Sequence, residues 1–343
     1  MKRYAITLKP LSGFGTPLKG DTLFGHFCWQ AVNDPSLVEG GLEKQLTHYS
    51  EKPFVVFSSA FAALPSDKST IYALKRPDLP FSFMLPMKKN KKESMEQSKA
   101  FKEKRWLLVD EHLRLDLKTG TFADDKELLK RMRPTLPRNH RQQMGNEEKP
   151  KFPQQFSQAH NTINRLSQTT GPGAFAPYTR DNFYYYPETE LVVFVFIEET
   201  ATDIGRVTLG LERIGMWGFG RDASTGLGRF KIIGDPKELP LPPTGDTNAF
   251  YILAPCVLQK DVFKEGFFTP FVRYGKHGDR LANVANPFKN PVIMADEGAV
   301  FIPHDNKVVD ALYIGRAVAN ISKAMPETVV QGYAPCLPLQ LEI

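Results

Sequence analysis

Four glycines between residues 218 and 228 constrain this fold more than any other feature of the chain. They stand as G-x-G, five residues, then G-x-G, between a helix-like stretch and the strand-like residues 229–233: Gly218, Gly220, Gly226 and Gly228. Glycine readily adopts positive φ and, lacking a Cβ atom, lets another backbone approach closely. The chain must therefore pass from helix to strand through a compact loop with much exposed main chain.

The side chains of this loop suit a nucleic-acid backbone. Its cations are Arg221 and Arg229, its hydroxyls are Ser224 and Thr225, and Phe219 stands between two glycines. Amides, hydroxyls and guanidinium groups donate to phosphates, and Phe219 is the candidate for stacking on an unpaired base. A long structural turn would have the same composition, so both interpretations stay open. The loop is not a P-loop, because no Gly-Lys-Ser/Thr follows, nor a dinucleotide-binding loop, because a strand comes next.

Hydrophobic periodicity predicts an α+β fold with the order β-α-β, insertion, β-α-β. The first helix, capped by Asp21, carries one wide apolar stripe, and a second helix, capped near Asp203, precedes the glycine loop. The predicted strands are residues 4–9, residues 54–61, a hairpin of residues 183–186 with 191–197, and residues 229–233. This is the split βαβ order of a ferredoxin-like (RRM-like) domain over residues 1–233, with an insertion at about residues 86–185.

A proline-rich segment at residues 234–248 predicts a linker to a second domain. Residues 249–343 are expected to form a smaller α+β domain, interpreted as a degenerate ferredoxin-like unit. Its strands are expected at residues 250–258, 292–294, 299–302 and 337–343, and a helix is expected at residues 308–324.

The charge of the chain favours a polyanionic partner. Its formal charge is +6 and its pI is near 9.0. Basic runs at residues 88–92 and 131–141 lie in the insertion, where solvated surface and RNA contact are equal alternatives. No apolar stretch is long enough to span a membrane, the N-terminus lacks a signal-peptide pattern, and the three cysteines are far apart. These features predict a cytoplasmic chain without a metal site.

Several motifs together resemble one family. The double-glycine loop after a second helix is similar to the hallmark of the RAMP superfamily of CRISPR proteins. Residues 20–26 (GDTLFGH) resemble the first-helix motif of the Csm-type subunit that caps the guide RNA in type III-A effector complexes. Residues 160–171 resemble the central motif of that subunit, and residues 331–335 (QGYAP) resemble its closing motif. The matches extend over most of the chain, apart from the basic insertion.

The resemblance implies a role in RNA binding. Such a subunit holds the repeat-derived 5′ tag of the guide RNA (crRNA), contacts the large polymerase-like subunit and the backbone RAMP subunits, and meets target RNA only indirectly. In the target-cleaving backbone subunits an aspartate lies in the loop after the first strand, whereas residues 11–19 here contain no acid. The resemblance therefore implies a non-catalytic subunit, with no cofactor and no membrane association.

Seven further residues are candidate RNA contacts. They precede or belong to the first helix, or belong to the central motif: Lys19, Gly20, Thr22, His26, His160, Asn161 and Arg165. Lys19 would add positive charge at a helix N-terminus, which already attracts anions. His160, Asn161 and Arg165 offer donors to phosphates or base edges, with capping of the local backbone as the alternative.

His26 also supports an alternative function. It could act as the general acid or base of a metal-independent crRNA-processing endoribonuclease, although no second catalytic group is evident from its spacing. A standalone regulatory RNA binder is a third interpretation. If the glycine loop binds RNA, Arg221→Ala or loss of Gly226 should weaken retention of the guide RNA.

Overall fold

The structure, a computed structural model, describes residues 1–65, 69–86, 90–144, 150–240, 247–304 and 311–342. None of its helices in these ranges is long and apolar enough to cross a membrane. In chain order the strands and helices are β1 (Lys2–Pro10), α1 (Gly20–Asn33), α2 (Leu42–His48), β2 (Val55–Pro65), β3 (Thr70–Lys75), α3 (Lys91–Glu103), β4 (Trp106–Val109), β5 (Thr121–Ala123), α4 (Asp125–Met132), α5 (Arg138–Met144), β6 (Gln154–His160), β7 (Tyr178–Tyr184), β8 (Glu190–Ile197), α6 (Ile204–Trp217), β9 (Phe230–Glu238), β10 (Ala249–Ile252), β11 (Phe263–Phe267), β12 (Pro270–Arg273), β13 (Val292–Ala295), β14 (Val300–Pro303), β15 (Tyr313–Gly315) and β16 (Tyr333–Leu339).

The main sheet is antiparallel and seven-stranded, with the order β5-β4-β3-β2-β8-β1-β9. Its part β2-β8-β1-β9 comes from the two β-α-β runs on either side of the insertion. Residues 191–197 of β8 are all buried, because strands flank β8 on both sides and both of its faces are covered. The helices and antiparallel sheet confirm the predicted α+β class.

The two helices of these runs begin differently. α6 begins after Asp203, whose carboxylate accepts the N–H of Arg206 at 2.9 Å, as predicted. α1 begins at Gly20 without a side-chain cap, and Asp21 lies inside its first turn. The prediction that Asp21 caps this helix is wrong, because its carboxylate is bound by Arg273 instead.

Residues 183–197 do not form the predicted hairpin. β7 pairs with β6, whereas β8 pairs with β1 and β2. The β6–β7 hairpin is a separate two-stranded sheet. Two backbone hydrogen bonds between Phe14 and Phe183, at 2.8 and 3.0 Å, attach it to the loop after β1. The strand nearest in sequence is therefore not the partner of β8. An all-apolar strand such as β8 is most stable in the middle of a sheet, where both of its faces are covered.

The region of the predicted insertion also builds the main sheet. β4 and β5 lie within it, and together with β3 they extend the sheet beyond β2. The first basic run lies partly outside the described residues, and its described members Lys91 and Lys92 begin α3. The second basic run extends from the end of α4 into α5.

The C-terminal segment forms a second antiparallel sheet, with the order β11-β14-β10-β16-β15, and β12 pairs with β13 beside it. Among its described residues, 249–304 and 311–342, there is no α-helix. The helix predicted at residues 308–324 is wrong over residues 311–324, which contain β15 and loops. Gly315 has φ of +95°, which an α-helix does not accommodate.

The boundary between the two sheets differs from the predicted linker. β9 continues to Glu238, within the segment predicted as linker. It lies at the edge of the main sheet, where Pro236 needs no ladder partner for its nitrogen. Residues 241–246 lie outside the described part of the chain.

The closing motif joins the two sheets. Gln331 is completely buried, and its side-chain amide makes two hydrogen bonds to the backbone of Phe57, at 3.0 and 2.8 Å. These bonds occur where the pairing of β2 with β8 shifts register between Phe57 and Ala60. A bulge leaves backbone groups unpaired, and the Gln331 amide satisfies those of Phe57.

Candidate nucleic-acid interface

The glycine loop, residues 218–229, closes on itself between α6 and β9. The N–H of Phe219 donates to the carbonyl of Gly228 at 2.9 Å, and the N–H of Gly228 donates to the carbonyl of Gly13 at 2.7 Å. All four loop glycines have positive φ, between +74° and +104°. A Cβ atom at Gly228 would lie 2.1 Å from the carbonyl oxygen of Phe219, so only glycine fits there.

Most amides of the loop are used inside the protein. The N–H of Gly220 donates to Nε2 of His26 at 3.1 Å, and that of Arg221 donates to the hydroxyl of Thr16 at 2.9 Å. Among the described residues, the amides of residues 222–224 make no hydrogen bond, and Asp222 is left-handed with φ of +63°. Consecutive free amides in such a turn can surround an anion. The main chain available to a ligand is therefore the outer turn, residues 222–224.

Phe219 is completely buried and has no face open to a base. Its ring lies against His26, with 4.7 Å between the ring centroids. The prediction that Phe219 stacks on RNA is therefore wrong, because the ring fills the space between the loop and α1. The exposed ring beside the loop belongs to Trp217, which is 72% exposed at the end of α6. The sequence reasoning missed Trp217, although it directly precedes Gly218.

His26 is a half-buried hydrogen-bond acceptor. Burial first, and the positive charge of Lys289 second, lower its pKa from 6.5 to about 4. Its Nε2 already accepts the N–H of Gly220. At neutral pH this imidazole is neutral and engaged, which does not suit a general acid or base.

We expect His26 to contribute to acid sensitivity of the fold. Its pKa is lower in the folded chain than the unfolded value of 6.5, so the unfolded chain binds the proton more readily. Stability present above pH 6.5 is therefore lost as the pH falls towards about 4. His26→Gln keeps an acceptor but does not titrate, so its melting temperature should depend less on pH across this range. Parallel melting curves for both proteins would contradict this role.

Lys19 and Gly20 connect α1 to the rest of the fold. The ammonium of Lys19 pairs with Asp296 and with Glu297, the latter at 2.8 Å. The prediction that Lys19 offers free positive charge to RNA is therefore wrong, because two carboxylates between β13 and β14 offset it. A Cβ atom at Gly20 would lie 2.2 Å from a carbonyl oxygen of β2. Thr22 is half-buried in the first turn of α1.

Arg221 fastens the glycine loop to the β6–β7 hairpin. Its guanidinium donates to the carbonyl of Asp181 at 2.5 Å and to the side chain of Asn182 at 3.1 Å. On the same strand, Arg180 pairs with Asp222 of the loop. The sequence did not single out Arg180, although it lies two residues after Tyr178 on the same strand. The loop and the hairpin are thus held as one surface.

His160 lies beside this contact. Its ring is stacked on that of its cross-strand neighbour Tyr178, with 5.3 Å between centroids and 9° between planes. The guanidinium of Arg180 lies 5.2 Å from the centroid of the same Tyr178 ring. Asn161 and Arg165 belong to the exposed segment, residues 161–177, that connects β6 to β7. The structure therefore links His160 to the glycine loop only indirectly, through Tyr178 and Arg180, and it places Asn161 and Arg165 in the connection that begins at the next residue.

The second half of the glycine loop contains exposed polar side chains. Ser224 and Arg229 are exposed, and the side chain of Arg229 has no acidic partner among the described residues. The hydroxyl of Thr225 donates to the carbonyl of Asp222 at 2.9 Å. The loop thus offers the free amides, Ser224 and Arg229 as donors, and the exposed ring of Trp217 directly precedes it. In the described ranges no three His, Cys, Asp or Glu side chains are grouped to hold a metal ion.

Comparison with known proteins gives structural matches only. No family model and no curated protein sequence matches the chain. A solved structure of the Csm3–Csm4 subcomplex in the type III-A CRISPR-Cas interference complex contains a similar chain, with a TM-score of 0.55 and 14% identity over 98% of this chain and 99% of that one. Structures of the Csm1–Csm4 cassette with pppApA and with cA4 each contain a similar chain, with a TM-score of 0.53 and 14% identity over 99% of this chain and 98% of that one. Over its whole length, the chain therefore has the fold of a chain found in type III-A CRISPR-Cas subcomplexes, the fold that its motifs predicted.

Proposed function

We propose that this chain is a non-catalytic RNA-binding subunit of a type III CRISPR effector complex. In this role it holds the repeat-derived 5′ tag of the crRNA and bridges the large polymerase-like subunit to the backbone RAMP subunits. The observation that carries the proposal is the fold likeness across 98–99% of both chains, to structures that share Csm4 as their common component. Target RNA would be contacted indirectly, and the complex would act in the cytoplasm.

The topology supports a ferredoxin-like (RRM-like) first domain, residues 1–233. Two β-α-β runs, β1-α1-β2 and β8-α6-β9, interleave in the sheet order β2-β8-β1-β9. The segment at residues 249–343 is proposed as the second, smaller domain, and its described residues contain strands and no α-helix. Binding residues often lie on loops that a rigid scaffold positions, and the glycine loop lies between α6 and the edge strand β9.

The glycine-loop surface supplies the chemistry for an RNA strand. Three consecutive free amides and the hydroxyl of Ser224 suit a phosphate. Arg229 adds a cation without an acidic partner among the described residues, and Trp217 offers an aromatic face on which an unpaired base can stack. Binding should weaken with salt, because phosphates would supply much of the affinity.

The alternative, a crRNA-processing endoribonuclease that uses His26, has no support from the site geometry. The pKa of His26 is lowered to about 4, by desolvation first and by the charge of Lys289 second, and its Nε2 already accepts the N–H of Gly220. Incubation of the isolated chain with repeat RNA tests this alternative directly. Specific cleavage that His26→Gln abolishes would overturn the non-catalytic assignment.

We expect Arg221→Ala to reduce the guide RNA that copurifies with the effector complex by roughly tenfold. Without its bonds to Asp181 and Asn182, the loop separates from the hairpin and the outer turn loses its shape. Arg206→Ala is the matched control, because Arg206 is also ion-paired on the surface but lies at the opposite end of α6. Sequencing the 5′ ends of the bound RNA gives the readout. Equal RNA content in both variant complexes would remove the glycine loop from the proposal.

A further inference from the structure

Lys289 differs from the other partly buried cations near the candidate interface. Lys19, Arg180 and Arg273 each contact a carboxylate at 3.0 Å or less. Lys289 is half-buried, between β12 and β13, and among the described residues no carboxylate lies within ion-pair distance of its ammonium. A charge partly removed from water without a counter-ion is costly. Such a group is a candidate for an external anion.

The main chain holds Lys289 firmly in place. Its N–H donates to the carbonyl of Gly275 at 2.8 Å, and the residue bridges to Ser322 on its other side. A Cβ atom at Gly275 would lie 3.1 Å from Cδ of Lys289, so the aliphatic stem runs along the Gly275 backbone. The main chain and the aliphatic stem of Lys289 are therefore held by the fold.

The stem of Lys289 lies against Gly275, and Gly275 stands in the chain between Arg273 and Gly278, which lie against Asp21 and Trp29 of α1. The Lys289 ammonium is therefore near α1. Its charge lowers the pKa of His26, after the larger effect of burial, and it also acts on Cys28. Asp21 is the acid of α1 that acts on Lys289, but Arg273 already binds both Asp21 carboxylate oxygens, at 2.6 and 3.0 Å. The positive charge of Lys289 on this face of α1 is thus not offset.

The same face of α1 has an open notch at Gly25. One turn before it, Asp21 contacts Arg273, and one turn after it, Nε1 of Trp29 lies 3.9 Å from the Cβ position of Gly278. Between these two contacts, a Cβ atom at Gly25 would meet no heavy atom within 4 Å. The C-terminal segment therefore covers α1 on both sides of Gly25 and leaves a gap there.

We infer that Lys289 and the notch at Gly25 form a phosphate site for the RNA strand bound at the glycine loop. The inference rests on the proposed RNA-binding function. His26 connects the two places, since it accepts the N–H of Gly220 from the loop and lies next to Gly25 on α1. A phosphate there would receive a charge-assisted hydrogen bond from the ammonium and supply its missing counter-charge. The RNA strand would then contact both the glycine loop and the C-terminal segment.

Two substitutions separate this role from a structural one. Lys289→Met keeps the length of the stem and removes the charge, and it should weaken binding of a fluorescent single-stranded RNA roughly tenfold. The slope of log K against log salt should fall by about 1. Gly25→Leu fills the notch, favours the helix and should weaken RNA binding without lowering the melting temperature. Lys260→Met is the control, because Lys260 lies in the same segment, is exposed and is paired with Asp261.

The full chain is measured in two assays, RNA titration at several salt concentrations and melting with added inorganic phosphate. Phosphate should raise the melting temperature of the wild type more than that of Lys289→Met. If the wild type binds RNA and both site variants bind it with unchanged affinity and slope, the phosphate site is overturned while the proposed function stands. If the wild type binds no RNA, the proposed function fails. In that case the melting experiment with inorganic phosphate tests the phosphate site. Equal stabilisation of the wild type and of Lys289→Met by phosphate overturns the site.

Discussion

Gly228→Ala is expected to lower the free energy of unfolding by about 3 kcal/mol and to strip the chain of guide RNA. A methyl group there would lie 2.1 Å from the carbonyl oxygen and 2.4 Å from the nitrogen of Phe219, and these backbone atoms have no room to move. The positive φ of +75° adds strain. The hydrogen bond from Phe219 to Gly228 would break, and the buried Phe219 ring would lose its place against His26.

Gly226→Ala is the matched control for the loss of stability. Gly226 also has positive φ, +97°, but a Cβ atom there would meet no heavy atom within 4 Å. Only the backbone strain remains, about 1 kcal/mol. Urea unfolding of both variants, together with the RNA content of the purified complexes, compares them. Equal losses of stability would show that the close approach of Gly228 to Phe219 is unimportant.

Asp21→Ala should destabilise the chain by about 3 kcal/mol, because it leaves the guanidinium of Arg273 without a partner in a partly buried contact. The Asp21 side chain is 3% exposed and that of Arg273 is 21% exposed, and two hydrogen bonds at 2.6 and 3.0 Å join them. This pair attaches the β12–β13 sheet to the start of α1. Hydrogen exchange should therefore increase first in residues 270–295.

The double variant Asp21→Ala/Arg273→Met tests the reason for that loss. Replacing both charges by apolar groups leaves no unpaired ion, so most of the stability should return. Glu199→Ala is the control, because it breaks an ion pair with Lys2 in which both side chains are 48% exposed, and no measurable change is expected. A double variant as unstable as Asp21→Ala would contradict the explanation.

The sequence predicted local structure well wherever periodicity and capping act within a few residues. The strand order around α1 and α6, the cap at Asp203 and the position of the glycine loop followed from such signals. Strand pairing did not, because β8 pairs with β1 and β2, which are distant in the chain, and not with the nearby β7. The helix expected at residues 308–324 failed at Gly315, whose backbone conformation depends on its surroundings.

For the candidate site, the local sequence located the glycine loop and the kinds of groups in it, because glycine conformations and donor side chains are properties of individual residues. Which of these groups a ligand can reach depended on contacts across the fold. Lys19 is offset by acids more than 270 residues away, and Phe219 is buried by a helix from the other end of the domain. The charge of Lys289, in contrast, is not offset by an acid of α1, because Asp21 is held by Arg273. Ion pairing and burial depend on residues that are distant in sequence, so a local sequence pattern does not predict them.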